Sequence, residues 1–484
     1  MLFDCLTARA EVYGDKPAVI GEIRTLTFQQ LLDEARSLAA LLNGSGVRAG
    51  DVLLLGIPPS PEFYVVFHAA AALGIITLPL LPSGKLPETV ISAHAKIAAG
   101  NAVFLRQVRS QCPSVQLELP WDRNRGLAVP NQAEELRRSR ILRDEKIIGV
   151  SSSGTTGEPA IYYRSVELLV RRAEFRARSL GIKPEDVLLS ARPFNSGSSI
   201  NSHVIMPLVA GCSIAVQERF QRFQAAEIIQ REKVSVLYSV PFIFELLASI
   251  PPDYPVDLSS LRLCISGSAP LANSVASAFS DRFGTEIRQR YGGSHIHPAF
   301  TFNLKGVPGA VGQTYGAFPI VILEEHEQPA PPDHIGEIVF DYDRVESSWQ
   351  KYLAENPNRR GRYIHTGDLG RADSDGNVFV VGRKSPFIKV RGNRVEPAEV
   401  EAVLRTYPNV TEAVVYGKAT SDGNEEVRAI VINTGTVSRR DLLRHCAERL
   451  DGFKCPREIE FRSELPRNQH GKLDRLNLFK PSDS

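Results

Sequence analysis

Ile147 to Pro159 reads IIGVSSSGTTGEP, a short apolar run followed by a stretch of hydroxyl residues and glycines that closes on a proline. The apolar part has the length and composition of a buried strand. In the part behind it, small residues let backbone N–H groups and hydroxyls converge on one point, which is how a chain cradles a polyphosphate. A flexible Ser/Gly linker seldom follows a buried-type strand. The loop is not of the Walker kind, because no Gly-Lys-Ser/Thr follows.

Outward from this loop the chain alternates between helical and extended patterns. Phe28 to Leu42 carries apolar residues at helical spacing, and DVLLLGI (Asp51 to Ile57) is a short apolar run. A helix over Glu62 to Leu73 then leads into IITLPLL, and the alternation recurs at VLLSARP, CSIAVQ, SVLYSV and LRLCISGS. Strands alternating with helices argue for an α/β fold of parallel sheets covered by helices. Between Gly309 and Gly382 the style changes: PIVILEE, GEIVFDY and NVFVVG are separated by turn residues. That predicts antiparallel strands in a small β-barrel-like subdomain. After Gly382 a helix from Glu396 to Thr406, strands at AVVYG and VRAIVIN, a helix from Ser438 to Leu450 with a Ser-x-x-Asp start and a strand from Glu458 to Phe461 predict a small α+β domain. The expected division is residues 1–382 and 383–484.

Bulk properties exclude more than they choose. The 484 residues are 43% hydrophobic with a net charge of +2 and interspersed charges, so no basic stripe points to nucleic acid or a membrane surface. Six cysteines lie apart with no CxxC. This argues against a disulfide framework or zinc site and for a reducing cytoplasm. The N-terminus MLFDCLTARAE lacks a signal-peptide pattern. The most apolar stretch, Tyr64 to Pro82, carries His68, Gly74 and two prolines, so it reads as a buried helix and strand and membrane insertion is not expected.

Two further segments carry chemistry. TGDLG (Thr366 to Gly370) precedes DGNVFVVGRK (Asp375 to Lys384). A carboxylate such as Asp368 at a strand end can accept both hydroxyls of a ribose, and Arg383 can add a donor. In the tail LPRNQHGKLDR (Leu465 to Arg475), Lys472 is a cation on a Gly-containing turn, suited to reach a phosphate.

In this order, these segments resemble the adenylate-forming superfamily of acyl- and aryl-CoA synthetases, luciferase and peptide-synthetase adenylation domains. SSGTTGEP is similar to its phosphate loop, SGSAPL (Ser266 to Leu271) and YGGSH (Tyr291 to His295) to its adenine-pocket segments, and TGD to its ribose motif. GRKSPFIKVRGNRVEPAEVE resembles its hinge and crossover loop, and NQHGKLDR its catalytic-lysine segment. SGSAPL and PAEVE are closer to the acyl/aryl-CoA ligase branch than to the amino-acid branch.

The resemblance implies roles. Tyr291 would stack on adenine, with Ser268, Ala269 and Gly292 beside it, while Asp368 and Arg383 would hold the ribose. Ser153, Gly154, Thr155, Thr156 and Gly157 would hold the outer phosphates of ATP and Ser294 the α-phosphate. Lys472 would bridge the attacking carboxylate and the α-phosphate. Ser385 would be the hinge of a mobile C-terminal domain. Lys389 would act on the second half-reaction, with Arg391 and Gly392 on the thiol side. ATP, Mg²⁺ and coenzyme A, or the phosphopantetheine arm of a separate carrier protein, would be the co-reactants.

Three positions depart from the family pattern. Ala160 stands where the phosphate loop has lysine, Ser385 where the hinge has Asp or Lys, and His295 where a glutamate binds Mg²⁺. Mg²⁺ prefers hard oxygen ligands to imidazole, so no metal ligand is assigned.

By the same resemblance Phe194 to His203, Tyr238 to Phe242, Gly292 and Gly293 line the acid pocket, with Asn195, Ser198, Ser199 and Asn201 making its wall polar. An unbranched fatty acid would leave such groups unpaired, at about 1–3 kcal/mol each when buried. The expected substrate is a small carboxylic acid with polar or aromatic character. A free-standing adenylation enzyme that loads a carrier protein, and a nucleotide-binding protein without catalysis, stand as alternatives to the acid–thiol ligase.

Overall fold

The computed structural model describes residues 2–82, 86, 88–127, 146–152, 160–269, 271–293, 296, 298–324, 327–383, 387–395, 397–420 and 424–463. They form two compact units, one from Leu2 to Ser152 and Ile161 to Arg383, the other from Phe387 to Ser463.

Three sheets make the first unit. The seven-stranded sheet runs in the order Gly126–Leu127, Leu117–Asp122, Ile97–Gly100, Val52–Gly56, Ile76–Pro79, Lys146–Ser152, Ala160–Ser165. Its five strands from Leu117–Asp122 to Lys146–Ser152 are parallel. Leu53, Leu54 and Leu55 have no exposed surface, as a parallel strand covered on both faces requires. Helix Phe28–Gly44 begins with a capping box between Thr27 and Gln30 and buries Leu31, Leu32, Ala35, Leu38, Ala39 and Leu42. The apolar stretch resolves into the expected helix, Pro61–Ala72, and strand, Ile76–Pro79. Among the described residues no helix is long and apolar enough to cross a membrane.

The eight-stranded sheet runs in the order Thr301–Phe302, Ile287–Tyr291, Leu263–Ser266, Val236–Ser239, Val187–Ser190, Ser213–Val216, Pro17–Ile20, Thr25–Thr27. The six inner strands are parallel and the two at the edges antiparallel. Val187–Ser190 lies between its successor Ser213–Val216 on one side and Val236–Ser239 on the other. The winding therefore reverses there. Open α/β sheets bind ligands beyond the carboxyl ends of strands at such a point.

The third sheet is antiparallel, in the order Gly312–Gln313, Asn377–Arg383, Tyr363–Ala372, Gly336–Asp341, Ile320–Leu323, with Arg359–Arg360 paired to Tyr363–Ala372. It is the smaller subdomain expected from the turn-rich region.

In the second unit, a hairpin of Ile388–Val390 and Asn393–Val395 accompanies a three-stranded sheet of Val410–Ala419, Glu425–Asn433 and Glu458–Phe461. Helices Pro397–Arg405 and Arg439–Arg449 belong to this unit, whose core holds Val395, Leu404, Val415, Val431, Leu442 and Ile459. Ser438 occupies the N-cap position, yet its side chain makes no capping bond. The Ser-x-x-Asp start thus fails as a capping box: Asp441 is shorter than the Glu or Gln such a box uses, and it accepts from Arg444 at 2.7 Å.

Candidate active site

Tyr291 ends the strand Ile287–Tyr291, and its hydroxyl donates to Asp368 Oδ2 at 2.7 Å. Its ring lies nearly parallel to that of Phe340, with centroids 6.4 Å apart and 16° between planes. Asp368 was expected at a strand end; it lies inside the strand Tyr363–Ala372. The pairing there slips, with Glu337 opposite Leu369 and Val339 opposite His365. Thr366, Gly367 and Asp368 thus bulge opposite Ile338, and a bulge re-aims side chains. Gly367 adopts a left-handed φ of +69°. The bulge is pinned by the Gly367 N–H donating to Glu337 Oε1 (3.1 Å), the Asp368 N–H to Thr366 Oγ1 (3.0 Å) and the Thr366 hydroxyl to the Ile338 carbonyl (2.6 Å). Across the next pairing Asp368 faces Arg383 in register.

The neighbouring strand Leu263–Ser266 pairs in parallel with Ile287–Tyr291, Ser266 opposite Gln289. The chain continues through Gly267, whose N–H donates to the Ser239 carbonyl at 3.1 Å, to Ser268 at φ +72° and half-buried Ala269. A left-handed serine is costly unless its surroundings impose it. Gly292 has φ +141°, and a Cβ there would lie 2.8 Å from Phe300 Cβ. Only glycine fits between Tyr291 and Phe300. Gly293 beside it is half-buried.

The polar wall is corrected in part. After strand Val187–Ser190 a short helix, Gly197–Ser199, passes into a π-helix, Ile200–Ile205; π segments recur at functional sites. Ser199 bonds back to Ser196, and Asn201 accepts from Arg176 Nη1 at 2.8 Å while donating to the Leu169 carbonyl at 2.7 Å. Both residues are fully buried, with their polar groups taken up by these partners. Asn195 and Ser198 remain half-buried, and the Ser198 hydroxyl has no hydrogen-bond partner among the described residues. His203 is fully buried, with Nε2 2.8 Å from the Tyr238 carbonyl. Burial pushes its pKa down to about 4, so the neutral ring donates from Nε2.

Lys389 lies on the Ile388–Val390 strand opposite Arg394, and Arg391 and Gly392 form the turn of that hairpin at φ +49° and +82°. All three belong to the second unit. Ser153, Gly154, Thr155, Thr156, Gly157, Ser294, His295, Ser385 and Lys472 lie outside the described residues. The loop that opened the sequence reading is in that set. The strand before it is Lys146–Ser152, with Ile147 and Ile148 buried.

The sequence reading missed Arg172, Arg176, Arg192 and Arg290. The signal was available in RRAEFRARS, where Arg172 and Arg176 fall at the helical spacing of Leu168, Leu169, Ala173 and Ala177, the face that packs inward.

Residues 6–346 match the AMP-binding enzyme family, and residues 399–472 match the AMP-binding enzyme C-terminal domain. The chain belongs to the AMP-binding enzyme family. Among its relatives, the 4-coumarate–CoA ligase of Pinus taeda is 26% identical over 97% of this chain and 93% of that one. The anthranilate–CoA ligase AuaEII, solved with anthranoyl-AMP, matches with a TM-score of 0.69 and 25% identity over 99% of this chain and 96% of that one. The o-succinylbenzoate–CoA synthetase of Bacillus subtilis shares the fold, with a TM-score of 0.84 and 24% identity over 98% and 97% of the two chains. Membership makes this an adenylate-forming α/β enzyme of the acyl/aryl-CoA ligase branch.

Proposed function

We propose that the acid activated by this AMP-binding enzyme is small, with polar or aromatic character, and that the residues described above carry out the activation. The reaction is that of an AMP-forming acid–thiol ligase. A carboxylate oxygen attacks the α-phosphorus of ATP, pyrophosphate leaves, and the acyl-adenylate is then opened by the thiol of coenzyme A, releasing AMP. The carboxylate is already a nucleophile, so the protein's work is to align two anions and stabilise developing charge.

The observation that carries the assignment of parts is the bond between Tyr291 and Asp368. It fixes an aromatic face and a carboxylate together at the carboxyl end of a parallel strand, the pair that an adenine and a ribose diol require. Gly292, which admits no Cβ, leaves room for close approach. Arg383, in register with Asp368, is assigned to the ribose, and Ser268 and Ala269 to the adenine edge. Thr155, Thr156 and Gly157 are assigned to the outer phosphates, Ser294 to the α-phosphate and Lys472 to the attacking oxygen. Arg383 ends a strand of the first unit, so the division expected at residue 383 moves to Ser385, and the residues after Ser385 are taken as a domain turning about it, with Lys389, Arg391 and Gly392 serving the thiol step.

Mg²⁺ accompanies ATP and neutralises phosphate charge. Mg²⁺ prefers hard oxygen ligands to the imidazole of His295, so the assignment leaves the ion to phosphate and water oxygens. The free cysteines suit a reducing cytoplasm. Loading of a separate carrier protein would use the same thiol chemistry, and no observation favours it.

A panel of carboxylic acids, assayed for AMP and pyrophosphate with and without coenzyme A, tests the reading. Acid-dependent release of both, with a CoA thioester formed only when CoA is present, is expected. ADP release, or turnover indifferent to the acid, would refute it.

A further inference from the structure

Four arginines converge near the point where the eight-stranded sheet reverses its winding. Arg172, Arg176 and Arg290 are 3%, 0% and 6% exposed, and Arg192 is half-buried two residues beyond the strand Val187–Ser190. Three guanidinium carbons surround one ring, lying 4.9 Å (Arg172), 5.2 Å (Arg176) and 5.9 Å (Arg290) from the centroid of Phe300. Arg176 also lies 5.5 Å from the ring of Tyr238.

Among the described residues no carboxylate pairs with any of the four. Among the described residues, Arg172 Nε, Arg176 Nε and Nη2, and Arg290 Nε are buried without a hydrogen-bond partner, as are the hydroxyls of Tyr238, Ser239 and Ser266. Arg176 has the Asn201 amide as its acceptor. Burial pulls the pKa of Arg172 well below its ordinary value and those of Arg176 and Arg192 down to about 10. At neutral pH Arg176 and Arg192 still keep their protons. Aromatic faces offset only part of the desolvation of a guanidinium, and uncompensated buried charge is strongly unfavourable. An anion that comes and goes would compensate such a cluster.

We infer that the acid substrate carries a second negative charge, and that Arg172, Arg176, Arg192 and Arg290 with the hydroxyls of Tyr238 and Ser239 receive it. This rests on the proposed acid activation and names its substrate class. The nucleotide is the other anion at hand, and strand geometry separates the two. Successive side chains on a strand point to opposite faces. Tyr291 meets Asp368 and Phe340 on one side, whereas Arg290 meets Phe300 on the other. The cluster instead joins the segments assigned to the acid pocket, through the packing of Arg176 on Tyr238. Guanidinium forks match carboxylates in planar, two-bond geometry.

The test pairs each diacid with its half-ester: terephthalate with monomethyl terephthalate, and succinate with monomethyl succinate. Pyrophosphate release gives kcat/KM, and the shift in Tm without ATP gives binding. The diacid of at least one pair should exceed its half-ester by about a hundredfold in kcat/KM and should alone raise Tm. Arg172→Met and Arg290→Met should abolish both differences. Each should also raise the Tm of the ligand-free protein, whereas a merely structural arginine would lower it when removed.

Half-esters or neutral acids matching the diacids throughout would overturn the inference while leaving acid activation intact. If no acid released pyrophosphate, activation would fail, and the Tm arm would still decide: a diacid-only shift lost in Arg172→Met supports the anion site, and no shift overturns it. Loss of ATP's own Tm shift in Arg172→Met, with acid shifts unchanged, would assign the cluster to phosphate and overturn it too.

Discussion

The hydroxyl of Tyr291 donates to the carboxylate of Asp368 across 2.7 Å, joining a residue at the end of a parallel strand to one in a bulged antiparallel strand. The bond sets the tilt of the ring and the aim of the carboxylate together. Tyr291→Phe keeps the ring against Phe340 and removes only the donor. We expect KM for ATP to rise on the order of tenfold, as for one hydrogen bond to a charged acceptor, with KM for the acid unchanged. Steady-state kinetics varying each substrate separates the two. A rise confined to the acid would place Tyr291 elsewhere in the cycle.

How much of this was legible in sequence depends on whether local pattern or tertiary pairing decides a residue. The strand before the Ser/Gly-rich segment was readable because a run such as IIGV has few homes outside a sheet. The bulge at Thr366–Asp368 was not. It arises from how Glu337 and Val339 pair with Leu369 and His365, a relation between segments distant in sequence. Asn201 shows the same limit: spacing alone cannot say whether an amide on a helix faces substrate or the Arg176 guanidinium. Arg172 and Arg176 were readable in principle, since their spacing put charge on an apolar face.

Lys472, proposed to bridge the attacking carboxylate and the α-phosphate, should matter to one half-reaction. Lys472→Ala should slow adenylate formation by roughly a hundredfold to a thousandfold, the scale of losing one charged stabiliser of a transition state. Thioester formation from synthetic acyl-adenylate should remain within a few-fold of wild type. Rapid-quench measurement of the two steps is the check. Equal losses in both would remove the assigned role.

Two buried histidines make stability sensitive to acid. His68, 1% exposed in the helix Pro61–Ala72, has its pKa pushed down by burial to about 3, and His203 to about 4. Both folded values lie below the ordinary 6.5, so the unfolded chain takes up protons first. Stability is complete above pH ~6.5 and falls as the pH drops towards those folded values, by up to about 1.4 kcal/mol per pH unit for each group. His68 Nδ1 has no hydrogen-bond partner among the described residues, so His68→Leu should cost little at pH 7.5 and make the decline towards pH 5 shallower. Thermal unfolding at both pH values measures it. Parallel curves for variant and wild type would mean that His68 does not titrate on unfolding in this range.

The turn at Arg391 and Gly392 offers the most discriminating substitution in the second unit. Val390 pairs with Asn393, leaving two central residues, both with positive φ (+49° and +82°), the pattern of a type I′ hairpin turn. The turn sets the register that puts Lys389 opposite Arg394, and both cations lie against the ring of Phe387, at 5.1 Å and 4.3 Å from its centroid. A β-branched residue at such a φ is strained by about 1–2 kcal/mol. If the hairpin presents Lys389 and Arg391 for the thiol step, Gly392→Val should slow thioester formation about tenfold or more and leave adenylation at wild-type rate. Asparagine tolerates the left-handed region, so Gly392→Asn should recover most of the loss. A purely structural role predicts something else: both half-reactions would fall together, in proportion to the fraction of unfolded protein seen by circular dichroism.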